Sequence, residues 1–253
     1  MLVPNTTIIG GLPFKMTNED IHLAAKEWSF ESHLETLSMS IRSEYGNDRA
    51  LTYYFTMVAD WLLDIQGWIE KQRDEFKYNL GSALYFFVRY NRLEWIDDPC
   101  QSVPVEFNVN GVYYHTNFDC KEYMTANDCL GECRYTLLEI TIKPGLPWAL
   151  RNWVVIHELT HAILFEANYT GDHNDESLVK PLGTLIYRFL KDNPELWRTT
   201  QNQHGDVDKT APDDVKPCQA TTFDIDQLAD RIMDKIADKL ATQAERGLNN
   251  AGL

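Results

Sequence analysis

Long hydrophobic runs are missing from this chain of 253 residues. No apolar stretch approaches the roughly 20 residues that a membrane-spanning helix needs. The N-terminus, Met1 to Asn5, is not a basic segment followed by a long apolar one, so we expect no secretory signal and a cytoplasmic location. Low-complexity segments and a visible repeat period are also missing, whereas the apolar fraction of 44% is typical of a folded protein.

Basic residues are scarce. Lys and Arg number 23 against 38 Asp and Glu, which gives a formal net charge of −15. Such a charge repels the phosphate backbone and no basic patch offsets it, so direct binding to nucleic acid is not expected. An acidic DNA mimic remains an alternative function, although the chain lacks the long Asp and Glu runs that would favour it.

Cysteine is also rare, and its number is odd. The five residues are Cys100, Cys120, Cys129, Cys133 and Cys218. We therefore expect reduced thiols, as in cytosolic proteins, and no disulfide framework. A structural metal at Cys129 and Cys133, with Cys120 upstream, is not expected because the spacing is C-x₃-C and no complete set of four ligands is present.

The chain divides into three blocks, and the first, residues 1–98, is predicted to be mostly helical and of unknown role. A helix-start signal at Thr17–Asp20 precedes apolar residues at roughly helical spacing as far as Ile41. Further helices are predicted from Arg49 to Phe76 and from Ser82 to Leu93. Their aromatic residues follow the helical spacing, which favours a core and a partner-facing surface over a ligand site.

The second block, residues 104–203, predicts a small sheet packed on two helices, so the expected fold class is α+β. Alternating residues on both sides of Asn110-Gly111 predict a hairpin, and a further strand is expected at Leu137–Ile142. Pro147 suits the first turn of a long helix that reaches about Ala167. Two later helices are predicted at Glu176–Lys191 and Pro194–Thr200.

The third block, residues 204–253, predicts a linker over 204–218 and an amphipathic helix from Phe223 to Arg246. Apolar residues recur along that helix at steps of three and four positions. Because an isolated helix of this length is marginal in water, we expect it to dock on the body of the protein or to self-associate through residues 223–246.

One motif indicates chemistry: His157-Glu158-Leu159-Thr160-His161, inside the long predicted helix. Residues four apart share a helix face, so both imidazoles can bind one Zn²⁺ ion at about 2.0–2.1 Å. The glutamate between them lies beside the metal and can take a proton from metal-bound water. The motif therefore predicts a zinc site with Glu158 as the general base.

The third metal ligand must come from outside that helix. The pattern H-E-x-x-H-x-x-G-x-x-H fails, because Leu164 and Ala167 occupy the positions of its glycine and last histidine. Glu176 opens the next predicted helix and can reach back if the two helices are antiparallel. We expect Glu176 to be the ligand, with three alternatives nearby, His173, Asp175 and Asp172.

Residues 104–197 resemble the small zincin-like metallopeptidase domains of phages and mobile elements, similar to the ImmA/IrrE group. The likeness rests on the strand pair Phe107–His115, the strand segment from Gly131 to Ile142, the stretch Val155–Leu164 and the acidic helix start at Asp175-Glu176. The resemblance implies zinc ligands at His157, His161 and Glu176, and Glu158 as the catalytic base. A helix-turn-helix segment, the usual partner of such domains, is not evident here.

These observations predict a zinc-dependent endopeptidase that cleaves a protein or peptide, such as a regulatory or defence protein, in the host cytoplasm if a phage encodes it. An edge strand within Leu137–Ile142 is expected to hold the substrate. Tyr169, His173 and Tyr187 are the candidates for stabilising the oxyanion. The main alternative is a zinc-containing inhibitor that occupies a partner through its aromatic N-terminal helices without cutting it.

Overall fold

The computed structural model describes residues 3–17, 30–33, 37–41, 45, 47–67, 70–118, 124, 129–169 and 174–198. These residues form five α-helices and two four-stranded mixed sheets, so the fold is α+β. No helix in these ranges is long and apolar enough to cross a membrane. The predicted linker, the amphipathic C-terminal helix and the self-association segment 223–246 all lie outside the described residues.

The first sheet contains β1 (Thr6–Ile9), β2 (Leu12–Thr17), β3 (Phe30–His33) and β4 (Ser38–Ile41) in the order β1-β2-β4-β3. Strands β2 and β4 are parallel, whereas the outer pairs are antiparallel. The turn between β1 and β2 is Gly10-Gly11, with φ of 57° and 80°. Two positive φ angles define the type I′ turn that closes a tight hairpin, and glycine adopts them without steric cost.

The helix predicted to continue as far as Ile41 was wrong at residues 30–33 and 38–41, because both segments are strands. All four residues of β4 are buried. Apolar residues in such a strand can match a helical spacing by chance, and only pairing with distant strands separates the two readings. The first half of the described chain, from β1 to residue 90, is therefore a sheet followed by two helices.

Those two helices are α1 (Asn47–Ile65) and α2 (Glu70–Tyr90). A single helix from Arg49 to Phe76 was predicted, but the chain turns at Gly67, where φ is 74°. The helices then pack closely on each other. A Cβ atom at Gly81 of α2 would lie 2.5 Å from the Thr56 Cα of α1, so this crossing requires glycine.

The second sheet contains β5 (Glu106–Val109), β6 (Val112–Asn117), β7 (Gly131–Arg134) and β8 (Glu139–Ile142) in the order β5-β6-β8-β7. The hairpin predicted at Asn110-Gly111 is confirmed, since Val109 pairs with Val112 around that turn. The strand predicted at Leu137–Ile142 begins only at Glu139. A 3₁₀ turn occupies Tyr135–Leu137, and Leu138 is left-handed with φ of 51°.

Three helices complete the described chain: α3 (Trp148–Glu166), α4 (Glu176–Asp192) and α5 (Glu195–Arg198). The long helix beginning after Pro147 is thus confirmed, as is the helix at Glu176. Buried apolar residues from both halves form one continuous core.

The same arrangement of strands and helices occurs twice, contrary to the prediction that no repeat is present. Both sheets have the same order of strands and the same parallel and antiparallel pairs. Each sheet is followed by two packed helices. The repeat is one of backbone geometry, which a search for similar residues at a fixed spacing does not detect.

Candidate metal centre

Helix α3 carries His157, Glu158 and His161 in its buried middle part, and the exposed fractions of these residues are 8%, 5% and 6%. The two imidazole rings lie one helical turn apart with centroids separated by 5.0 Å, close to perpendicular. Apolar neighbours Val154, Ile156 and Leu159 are buried around them. The helix therefore presents two nitrogen ligands and one carboxylate from an apolar surface.

Glu176 is the first residue of α4, and the residue before it explains why that helix starts there. Asp175 is the N-cap, because its carboxylate accepts hydrogen bonds from the Ser177 backbone N–H at 2.9 Å and from the Ser177 hydroxyl at 2.7 Å. These bonds lower the pKa of Asp175. Asp175 thus acts as a helix cap, which weakens it as an alternative ligand, while the other two alternatives, Asp172 and His173, lie outside the described residues.

A glycine brings the two ligand-bearing helices together. A Cβ atom at Gly183 of α4 would lie 3.3 Å from the His157 Cα and 3.1 Å from the Thr160 Oγ1 of α3. A methyl group here would require its neighbours to shift by a few tenths of an ångström, so glycine suits this close approach. Close packing at this point holds Glu176 within reach of α3.

The distances between the three side chains fit a metal ion. Glu176 Oε2 lies 3.3 Å from His157 Nε2, and Glu176 Oε1 lies 3.3 Å from His161 Nε2. Two ligands about 2.0–2.1 Å from a tetrahedral ion are about 3.3–3.4 Å apart, whereas hydrogen bonds between such groups are usually shorter, about 2.7–2.9 Å. Within the described residues this is the one group of three or more potential ligands, all within 4.8 Å of one another.

The protonation state of His157 also suits a metal ligand. Burial lowers the pKa of His157 despite the opposing attraction of the nearby Glu176 carboxylate. The ring is therefore neutral at pH 7, the form that can bind a metal. Two imidazoles and one carboxylate suit Zn²⁺ and also accept other divalent transition metals.

Glu158 is held between α3 and β7. A Cβ atom at position 131 would lie 2.5 Å from the Glu158 Oε1, so Gly131 makes room for this carboxylate. Burial raises the pKa of Glu158 to about 8, with further contributions from Glu176 and Glu132. A hydrogen bond from the Cys133 backbone N–H acts in the opposite direction. The carboxylate thus has a nearly neutral pKa, as a general base requires, although a cation bound nearby would lower it.

The strand beside the site is not the one predicted to hold the substrate. Strand β8, within Leu137–Ile142, is paired on both sides, with β6 and with β7, so it is not an edge. Among the described residues, strand β7 at Gly131–Arg134 is one of the two edges of this sheet, and its Gly131 lies against the Glu158 side chain. The expectation of an edge strand at Leu137–Ile142 was therefore wrong by one strand.

Sequence reasoning missed a pair of aromatic residues at the end of α3, beyond His161. Phe165 lies one helical turn beyond His161 and is 42% exposed. The Tyr135 ring stacks on it with centroids 4.6 Å apart, and the Tyr135 hydroxyl bonds to the Asn174 Oδ1 at 3.1 Å. Phe165 could have been found from its i+4 spacing after His161, but no local pattern points to Tyr135.

Two of the three residues predicted to stabilise an oxyanion, Tyr169 and Tyr187, lie within the described ranges. Tyr187 is buried, with 3% exposed, and Tyr169 packs on Phe76 with ring centroids 5.2 Å apart. His173 lies outside the described residues. Of the cysteines, Cys100, Cys129 and Cys133 are free thiols, and none belongs to a group of three ligands in the described ranges.

Comparisons with known proteins found no match to this chain among family models, curated proteins or solved structures.

Proposed function

We propose that the protein is a zinc-dependent endopeptidase. The observation that carries this proposal is the placement of His157, His161 and Glu176 at ligand-to-ligand distances of 3.3 Å, with a fourth residue, the buried Glu158, beside them. The resemblance of residues 104–197 to phage-encoded zincin-like domains supports the same activity. It also supports a regulatory or defence protein in the cytoplasm as the class of substrate.

Each residue of the site then has a role. His157, His161 and Glu176 would hold the ion, leaving a fourth position open. A bound Zn²⁺ would supply an acidified water and polarisation of the scissile carbonyl. Glu158 accepts the proton of the attacking water at its carboxylate and returns it to the leaving amine. The N–H of Cys133 and the gap at Gly131 fix the orientation of that carboxylate.

The substrate is an extended peptide in this proposal. Strand β7 is the sheet edge next to Glu158, and an edge strand can add a peptide as a further strand. Exposed apolar side chains lie before and after it, with Leu130 38% exposed and Leu137 61% exposed. Together with the stacked Tyr135 and Phe165, they favour peptides with large apolar side chains near the scissile bond.

Metal analysis combined with proteomics of expressing cells tests this function. Wild type should contain Zn²⁺ and generate new protein N-termini, whereas Glu158→Gln should keep the metal and generate none. Glu106→Gln is a matched control, because Glu106 lies on β5, at the opposite edge of the sheet from β7, with its carboxylate 3.4 Å from the His115 Nδ1. This control should cleave like wild type. Cleavage by Glu158→Gln at the wild-type rate would refute the role of Glu158.

One observation favours the alternative of a zinc-containing inhibitor that acts by occupying a partner. The first half contains an open cavity of about 550 Å³ between α1 and α2. Its lining includes Tyr53, Tyr85, Tyr90, Arg49 and Arg89. Tyrosine and arginine are enriched where proteins bind each other. If Glu158→Gln reproduces every effect of wild type in cells, this alternative replaces the endopeptidase.

A further inference from the structure

The strands of the two halves match residue for residue. Strands β5 and β6 lie 100 positions after β1 and β2, and β7 and β8 lie 101 positions after β3 and β4. Their pairing registers follow the same shifts. Ile9 faces Leu12 as Val109 faces Val112, Lys15 faces Ser38 as His115 faces Glu139, and Phe30 faces Ile41 as Gly131 faces Ile142.

Unusual backbone angles recur at the same matched positions. Leu37 and Leu138 are both left-handed, with φ of 46° and 51°, although leucine rarely adopts that conformation. Each carbonyl oxygen accepts a hydrogen bond of 2.8 Å from a matched strand residue, Lys15 or His115. The turns after the first helices also match, with φ of 74° at Gly67 and 56° at Asn168.

The helices continue the match. Helices α1 and α3 both contain 19 residues and lie 101 positions apart. Helices α2 and α4 end 102 positions apart, at Tyr90 and Asp192. The close-packing glycines Gly81 and Gly183 have the same shift, and they approach Thr56 and His157, which are themselves 101 positions apart.

An asparagine after each helix pair joins the two halves reciprocally. The Asn91 side chain accepts from the Asn108 N–H and donates to the Asn108 carbonyl, both at 2.7 Å. The Asn193 side chain makes the same two bonds with the Ile8 backbone, both at 2.8 Å. Each amide also donates to a phenylalanine carbonyl four residues earlier, Phe87 or Phe189, at 2.7 Å. Each half therefore contacts the other through its matched asparagine, as in a pair of units related by an approximate two-fold axis.

This correspondence locates the counterpart of the metal centre in the first half. His157, Glu158 and His161 match Thr56, Met57 and Asp60, which retain neither imidazole nor the base. Glu176 matches position 74, an aspartate. The first half has an ammonium group beside the position that matches His161, since Lys77 Nζ lies 3.8 Å from Asp60 Oδ1. In the second half the position that matches Lys77 is the apolar Val179.

We infer that the chain is an internal duplication with one metal site among the described residues. Thr56 and Asp60, with position 74 matching Glu176 in register, are its metal-free counterpart, at which a second site can be restored. The inference rests on the metal site of the proposed function. It assigns one ion to the described residues, bound in the second half, and it assigns Lys77 the place of the missing ion in the first.

A metal-binding graft tests this inference in a chain whose native site is removed by His157→Ala and His161→Ala. The graft combines Thr56→His, Asp60→His, Asp74→Glu and Lys77→Val. Co²⁺ titration of the full chain should show one tetrahedral absorption band that the background lacks. A graft that carries Asp74→Ala instead of Asp74→Glu lacks the third ligand, so it should bind Co²⁺ at least about tenfold more weakly.

A second variant guards against misfolding, since Thr56 is 1% exposed. It carries Asp60→His and Asp74→His only and should bind Co²⁺ more weakly than the full graft. If grafts with the circular dichroism of the background bind no more Co²⁺ than the background, the inference is wrong. It is also wrong if the native chain binds a second Zn²⁺ that survives the background substitutions. Wild type without metal beside a graft that binds would refute the proposed function and the assignment of an ion to the second half, but not the duplication.

Discussion

The asparagine that follows α4 provides the most quantitative prediction. Asn193 is 1% exposed and makes three hydrogen bonds of 2.7–2.8 Å, two of them with the Ile8 backbone in the other half. Each such bond contributes about 0.5–1.5 kcal/mol net, and polar groups left unpaired add to the loss. We therefore expect Asn193→Ala to reduce the free energy of unfolding by about 2–4 kcal/mol.

Urea unfolding monitored by tryptophan fluorescence measures this loss, and the chain provides its own control. Asn91→Ala removes the matched set of three bonds with Phe87 and Asn108, so its loss should equal that of Asn193→Ala within about 1 kcal/mol. A change below about 0.5 kcal/mol in either variant would refute the reasoning, because surface substitutions alone produce changes of that size.

Three further predictions concern the candidate site. Gly131→Ala places a methyl group 2.5 Å from the Glu158 Oε1; displacing the base by about 1 Å should reduce kcat/KM about 10²-fold with the metal content unchanged, and an unchanged rate would contradict this. In metal-free protein the pKa of Glu158 is raised from 4.5 to about 8, so unfolding free energy should fall as pH rises between these values, and Glu158→Gln should flatten that slope in urea titrations. Phe165→Ala and Tyr135→Ala should raise KM for peptides with large apolar residues while leaving metal content unchanged; peptide-library profiling would expose an error by showing the same preferences as wild type.

The parts of the structure that were predictable follow local rules. The Asn110-Gly111 hairpin needs only a two-residue turn with positive φ angles, and the α3 helix needs only its apolar spacing after Pro147. The spacing of His157 and His161 is fixed by helix geometry alone. Glu176 was predicted because an acidic helix start follows α3 closely. The structure brings these three side chains together.

The parts that were missed depend on contacts between distant residues. Strand β4 is stabilised by pairing with β2 and β3, and β3 by pairing with β4; this pairing leaves no period in the sequence. Tyr135 reaches the site through the 3₁₀ turn after β7, a feature of the tertiary fold. The sequence does not reveal the duplication because the residues shared by the two halves are widely spaced. These residues lie in turns, at close helix contacts and in the reciprocal asparagine contacts; Gly11 and Gly111, for example, occupy the two hairpin turns.

The first half contacts the candidate metal centre's second helix, α4, through its backbone. The Ile8 strand residue is bonded to Asn193, which ends the helix whose first residue is Glu176. A displacement of the first sheet would therefore strain the hydrogen bonds that hold the C-terminal end of α4. Because an ion bound at the candidate metal centre stabilises only the folded arrangement, the same contact extends its stabilising effect to the first half. In the proposed duplication, a unit without a metal site would thus still support the site of its counterpart.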